Sequence, residues 1–265
     1  MSAVEYGERY VAFADIIGWR GLIQELETGA QDVAFLKSLL ERVHKPVSPD
    51  TLRPMVELRL QSISDAVVIS ADVSGFGLMV LLEALEILSL DLLERGYFVR
   101  GGVTRARLYH DDLMVFGRGL VDAYELESKL AVVPRILIAD EVLKDAAAYF
   151  RRGWPEYWLD KLLRDHDGRV FLNVLKQVVD EVAQNVEADD GDRKSPMSSR
   201  HARMKAQIER RLLETASNPR HFEKTRWFAA YWNAAVPSPK FTAINVAGMA
   251  LSAPITIKPV FLWKV

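Results

Sequence analysis

The sequence predicts an α+β fold in which helices cover one central, mostly antiparallel sheet. Three observations carry that expectation: short apolar runs rich in β-branched residues alternate with longer stretches of helical period, Gly and Pro punctuate the joints, and the strands arrive in hairpin-like pairs. Val11 to Ile17 reads as a buried strand broken by Gly18. A helical region follows at Asp32 to Val43, with Val33, Leu36, Leu39, Leu40 and Val43 on one face and Pro46 and Pro49 beyond it. Val56 to Gln61 and Ala66 to Ser70 flank the polar segment Ser62 to Asp65 and read as a hairpin with Asp65 at its turn.

Gly75 and Gly77 open a long helix through Arg95, and Gly96 ends it. The apolar stretch inside it, Phe76 to Leu93, carries Glu83, Glu86 and Asp91 at helical intervals, the mark of an amphipathic helix and not of a membrane span. Tyr97 to Tyr109 is a new extended segment in which Gly101-Gly102 predicts a bend or a close backbone approach. His110 to Asp112 forms a turn, Leu113 to Phe116 a short strand, Gly117 to Ala131 a helix and Arg135 to Ala139 another strand. Beyond residue 150 tryptophans cluster. A strand at Val170 to Leu175 precedes the charged, Gly/Pro-punctuated segment Glu187 to Ser199, which reads as a mobile loop. Helices at Arg200 to Ala216 and Pro219 to Ala235 and a strand at Ile255 to Val265 complete the chain. The break near 180 divides it into a main part, 1–180, and an extension, 181–265, expected to pack against the first.

At 265 residues the chain can bury a sizeable core without covalent staples, and with no cysteine it has no disulfide, zinc ribbon or thiol nucleophile. The missing cysteines and the lack of a basic-then-apolar leader fit a cytoplasmic protein. A formal net charge of −2 argues against a broad nucleic-acid-binding surface and leaves room for a local basic pocket.

Asp15 interrupts an otherwise apolar strand, and Asp65 stands at the head of a second one. A buried carboxylate without compensation costs several kcal/mol, so it is neutralised, hydrogen-bonded or bound to a cation. Side by side on neighbouring strand ends, the two carboxylates suit Mg²⁺ or Mn²⁺, which take one or two carboxylates and complete their shells with substrate phosphates. The alternative is that each Asp caps local structure. Arg100, Arg105 and Arg107 share one extended segment, where they either clamp phosphates or line a solvated sheet edge. Gly117-Arg-Gly119 is a weak anion-binding signal. His110-Asp111 lacks the further His and Asp ligands of a metal phosphohydrolase, and no nucleophile elbow, Walker loop or dinucleotide fingerprint occurs. Trp154, Trp158, Trp227 and Trp232 fit core packing better than a base-stacking platform.

Together, Phe13-Ala-Asp-Ile-Ile-Gly18, Ser62-Ile-Ser-Asp-Ala-Val-Val-Ile-Ser70, Arg100-Gly-Gly-Val-Thr104, Gly117-Arg-Gly-Leu-Val-Asp-Ala-Tyr-Glu-Leu-Glu127 and Pro134-Arg-Ile136 resemble the pyrimidine cyclases of bacterial Pycsar antiphage systems. These are relatives of class III adenylate and guanylate cyclases, and the resemblance spans roughly residues 8 to 140. It implies a class III cyclase-like sandwich with a C-terminal helical extension. It implies conversion of UTP to 3′,5′-cyclic UMP and pyrophosphate, with CTP or a catalytically inactive nucleotide-binding module as alternatives.

Carried over by position, Asp15, Asp65 and the carbonyl of Ile16 hold two Mn²⁺ or Mg²⁺ ions, and Phe13 lies beside the nucleotide. Arg100 and Arg107 are the candidate transition-state groups and Arg105 a phosphate contact, in part across the interface of a head-to-tail homodimer. A phage-derived trigger and a separate effector protein that reads the product are implied as well. The chain departs from the purine cyclases where they carry an Asn and an Arg. Those positions are Val121 and Glu125 here, so the usual transition-state pair is missing.

Overall fold

The computed structural model describes residues 6–35, 37–38, 56–151, 158, 160–187, 197–237, 242–247, 249 and 257–260. In chain order these form β1 (Gly7–Ile17), α1 (Trp19–Glu27), β2 (Arg59–Ile63), β3 (Ala66–Asp72), α2 (Gly75–Leu93), β4 (Phe98–His110), β5 (Val115–Phe116) and α3 (Arg118–Glu125). Then follow a π-helical turn (Leu126–Leu130), β6 (Ile136–Ile138), α4 (Asp140–Arg151), β7 (Leu162–Arg164), β8 (Val170–Leu172), α5 (Lys176–Glu187), α6 (Ser199–Thr215), α7 (Pro219–Ala235) and β9 (Lys258–Pro259). The expected α+β architecture is present. The described strands form one sheet in the order β2-β3-β1-β4-β6-β8-β7-β9, with β5 folded onto the end of β4. Among the described residues every strand pairing is antiparallel except β4 with β6.

β1 is the central strand, hydrogen-bonded to β3 on one side and β4 on the other. Its side chains alternate between faces. Tyr10, Ala12, Ala14 and Ile16 enter the main core with Leu78, Leu81 and Leu85 of α2, while Val11 and Phe13 join Val68, Leu108, Leu120 and Ala123 in a small cluster under α3. Asp15 shares the parity of Val11 and Phe13, and register places it between Ala66 and Arg100.

α2 differs from the amphipathic expectation: it is buried almost all round, Glu86 included. The reason is the C-terminal part, which covers what would have been its outer face. Met204, Ile208 and Leu212 of α6 belong to the same core, Arg200 and Arg203 of α6 pair with Asp91 and Glu94 at the end of α2, and Lys161 pairs with Glu86. Trp158, Trp227 and Trp232 are core residues as expected. α1, α4 and α5 go beyond the sequence expectation; α1 buries only Trp19 and Leu22, too few positions to mark a helical period. Residues 33–35 and 37–38 are helical, while Leu36, Leu39, Leu40, Val43 and Trp154, residues 188–196 of the expected loop and both ends of the expected last strand lie outside the described residues. Among the described residues no helix is long and apolar enough to cross a membrane.

Candidate functional site

The β2–β3 hairpin turns in two residues, Ser64 and Asp65, and Ser64 takes a left-handed φ of 58° that non-glycine residues adopt at a cost. That tight turn puts Asp65 beside the end of β1, where the Ile16 N–H donates to the Asp65 carbonyl at 2.9 Å. In an antiparallel strand a residue's N–H and C=O face the same neighbour, so the Ile16 carbonyl points to the same side. Asp15, Ile16 and Asp65 line one cavity of about 690 Å³, whose other walls come from α1, the turn before β4, α6 and α7.

Arg100 faces Asp15 across the β1–β4 ladder and donates from Nη2 to Asp15 Oδ2 at 3.1 Å. The same nitrogen forms an ion pair with Glu127, which the π-helical turn after α3 carries into the protein. This turn closes with the Ala131 N–H on the Leu126 carbonyl at 3.1 Å, one residue wider than an α-helical bond, a geometry often found at functional sites. Gly101 and Gly102 are the close approach the sequence predicted. A Cβ on Gly101 would lie 2.7 Å from the Phe13 carbonyl oxygen, and one on Gly102 2.8 Å from that of Ala123, so only glycine lets β4 sit under α3 beside Arg100.

Burial raises the Asp15 carboxyl above its ordinary range; Arg100 opposes the shift and the charge of Asp65 adds to it. Burial likewise pushes Glu127 up to about 7, against the pull of Arg100 and with the push of Asp15. The folded protein therefore holds this proton more tightly than the unfolded chain, and ionising Glu127 costs stability as the pH climbs from about 4.5 to about 7. Glu127→Gln should unfold at the same temperature as the parent near pH 4 and at a higher temperature above about pH 7. Thermal melts at the two pH values check this, and an unchanged difference between them would contradict it.

Within one chain the structure brings Asp15, Ile16 and Asp65 to one cavity, ties Arg100 to it through Asp15 and leaves the other candidates apart. Phe13 packs edge-on against Tyr124 of α3, with ring centroids 5.3 Å apart, and is not part of the cavity wall. Arg105 and Arg107 pair with the opposite parity of β1. Arg105 binds Asp145 of α4 at 2.9 Å, and Arg107 donates to the Tyr6 carbonyl at 3.0 Å and lies over its ring. A contribution from these two to the same cavity would have to come from a second copy. Val121 and Glu125 sit on the exposed face of α3, Glu125 paired with Lys129. His110 is a buried strand-end residue bonded to Ser70, and burial lowers it to about 4.

No family model matches the chain, and no curated protein matches it. Solved structures it matches include a bacterial light-regulated adenylyl cyclase, at 14% identity and a TM-score of 0.42 over 67% of this chain and 97% of that one. A second structure of a bacterial light-regulated adenylyl cyclase matches at 16% identity and a TM-score of 0.41, over 65% of this chain and 54% of that one. The catalytic core of a rhodopsin-guanylyl cyclase with converted specificity, in complex with ATPalphaS, matches at 14% identity and a TM-score of 0.38 over 63% of this chain and 95% of that one. Likeness of this degree transfers no residue role. The chemistry of the site rests on its own geometry.

Sequence reasoning missed Glu127, Lys224, Arg210 and Arg211. Glu127 stood at the end of a quoted motif, but its burial depends on the π-helical turn, which no local pattern announces. Lys224, Arg210 and Arg211 reach the cavity only through the packing of α6 and α7.

Proposed function

We propose that the chain is a metal-dependent nucleotidyl cyclase that converts UTP to 3′,5′-cyclic UMP and pyrophosphate. The observation that carries the reading is the meeting of Asp15 and Asp65 at neighbouring strand ends on one open cavity, one of them on a central strand where an uncompensated charge is costly. The donor set fits Mg²⁺ or Mn²⁺: two carboxylates and the Ile16 carbonyl are all hard oxygens. Among the described residues no group of three or more His, Cys, Asp or Glu side chains could hold a metal ion. Such a two-carboxylate site takes its remaining ligands from water and substrate phosphates, which favours a nucleoside triphosphate as the partner.

Bound there, two such ions would acidify the ribose 3′-hydroxyl and neutralise charge on the phosphates. The protein's part is to hold the triphosphate so that the 3′-oxygen lies in line with the α-phosphorus. The bond from the 3′-oxygen to the α-phosphorus forms as the bond from that phosphorus to the β-bridging oxygen breaks. The hydroxyl proton passes to solvent, and pyrophosphate leaves. Arg100, already beside Asp15, is placed to follow charge developing on the α-phosphate. The resemblance adds a homodimeric enzyme whose product is a second messenger in antiphage defence, read by a separate effector protein.

A second reading, nucleotide binding without turnover, draws on Val121 and Glu125 in place of the usual Asn and Arg. Incubating the protein with each of the four ribonucleoside triphosphates and Mn²⁺, then resolving products by mass, separates the two. Cyclic UMP from UTP is expected. Cyclic CMP as the main product would move the base assignment to cytosine, and bound but unchanged nucleotide would favour the second reading.

A further inference from the structure

The cavity that holds Asp15 and Asp65 is acidic on its sheet side and basic on the side built by the C-terminal helices. Arg210 and Arg211, near the end of α6, and Lys224 of α7 all line it. Two glycines make room for the arginines. A Cβ on Gly18, which has a φ of 102°, would lie 2.9 Å from Nη2 of Arg211, and one on Gly96, with a φ of 87°, would lie 2.8 Å from Nη2 of Arg210. Gly18 follows β1 directly and Gly96 precedes β4, so both guanidiniums rest against the backbone at the strand ends that bear Asp15 and Arg100. Among the described residues Arg211 Nε is a buried donor with no partner, and its Nη1 reaches Glu214 at 3.3 Å. Arg210 reaches the same carboxylate at 3.5 Å.

Lys224 is half-buried and makes no ion pair within 4 Å among the described residues. It nevertheless feels the charges of Arg100, Arg220, Asp15 and Glu127, and burial lowers its proton affinity. An ammonium that feels two other cations and pairs with no carboxylate within 4 Å among the described residues is placed to take an anion. Its helix position is fixed from behind: Trp227, one turn on, is buried and donates from Nε1 to Asp165 Oδ2 at 3.2 Å.

We propose that Lys224 and Arg211, with Arg210 at the rim, form the binding site for the β- and γ-phosphates of the substrate, supplied by the chain's own C-terminal extension. The proposal deepens the cyclase reading and rests on it for the identity of the ligand. Cations reach the polyphosphate from α6 and α7, beside the strand ends. A triphosphate bound this way lies with its tail under the two helices and its α-phosphate at Asp15, Asp65 and Arg100, which leaves the nucleoside at the cavity mouth.

The test is calorimetric titration of the full chain with inorganic tripolyphosphate in the presence of EDTA, so that neither metal nor turnover enters. Lys224→Gln and Arg211→Gln should each weaken binding roughly tenfold or more, the lower end of what a charge-assisted contact contributes. Lys224→Arg should recover most of the loss, whereas Arg226→Gln, whose parent residue pairs with Glu223 on α7 and lies outside the cavity wall, should bind like the parent. Circular-dichroism melts confirm that the variants fold. Unchanged affinity in Lys224→Gln and Arg211→Gln, or no tripolyphosphate binding by the parent, overturns the proposal. Loss of binding in both variants, in a protein that cyclises none of the four triphosphates, upholds the polyphosphate site and overturns the cyclase reading alone.

Discussion

Asp15→Asn and Asp65→Asn are each expected to lower cyclic-nucleotide formation by a factor of about 10³ or more, because metal stabilisation of a developing phosphoryl charge is worth several kcal/mol and each 1.36 kcal/mol is tenfold in rate. The loss should fall on turnover, not on folding. Asn keeps the shape of Asp, and at position 15 it removes a carboxyl that burial and the neighbouring Asp65 already disfavour in its charged form. The unfolding temperature of Asp15→Asn should match or exceed that of the parent. Arg100 bears on the interpretation, since it loses one of its two carboxylate partners in that variant and keeps Glu127. A folded variant of either position retaining more than a tenth of parental activity would remove these carboxylates from the reaction.

Asp165→Ala should destabilise the fold by roughly 3–5 kcal/mol, lowering the unfolding temperature by about 10 °C or more. Asp165 is buried among four groups: the Arg135 guanidinium, Trp227 Nε1, the backbone N–H of His166 at 2.7 Å and the His166 ring Nδ1 at 2.6 Å. Truncation leaves the indole and the amide without an acceptor, and it halves the carboxylate support of Arg135, whose remaining partner is Asp167. Asp167 itself, held by the Arg135 guanidinium and the Arg169 amide, stays well below the usual carboxylate range. Because Trp227 anchors α7 through this bond, Asp165→Ala should also weaken tripolyphosphate binding through Lys224, at temperatures where the variant is still folded. Thermal melts measure the first effect and calorimetry the second. A change in unfolding temperature under about 3 °C would show that the buried network contributes little.

The sheet was the legible part of the fold. β1, the β2–β3 hairpin, β4 and β6 follow from local signals: apolar runs, the polar segment Ser62 to Asp65, of which the structure keeps only Ser64 and Asp65 as the turn, and a glycine pair whose close approach is seen against Phe13 and Ala123. The meeting of Asp15 with Asp65 was foreshadowed because both sit at the ends of readable strands, and hairpin geometry does the rest. The parity of β4 explains the arginines. Two-residue spacing correctly puts Arg105 and Arg107 on one side, and the odd interval back to Arg100 puts that side away from Asp15.

The cationic wall of the cavity lay beyond local reasoning. Arg210, Arg211 and Lys224 look like ordinary solvated helix positions until the packing of α6 on α2 and of α7 on α6 brings them to the cavity. Packing of the C-terminal part buries α2 almost all round, so Glu86 and Asp91, which read as a polar face, serve as ion-pair partners of Lys161 and Arg200.

The central claim is that Asp15 and Asp65 together hold divalent ions at the nucleotide. Its most direct test counts Mn²⁺ retained by the protein in the presence of 3′-deoxy-UTP, which binds as a substrate does and has no hydroxyl with which to cyclise. The account predicts about two ions per chain in the parent and their loss in the Asp15→Asn/Asp65→Asn double variant, with the nucleotide bound much more weakly. Equal Mn²⁺ retention in parent and double variant would contradict it.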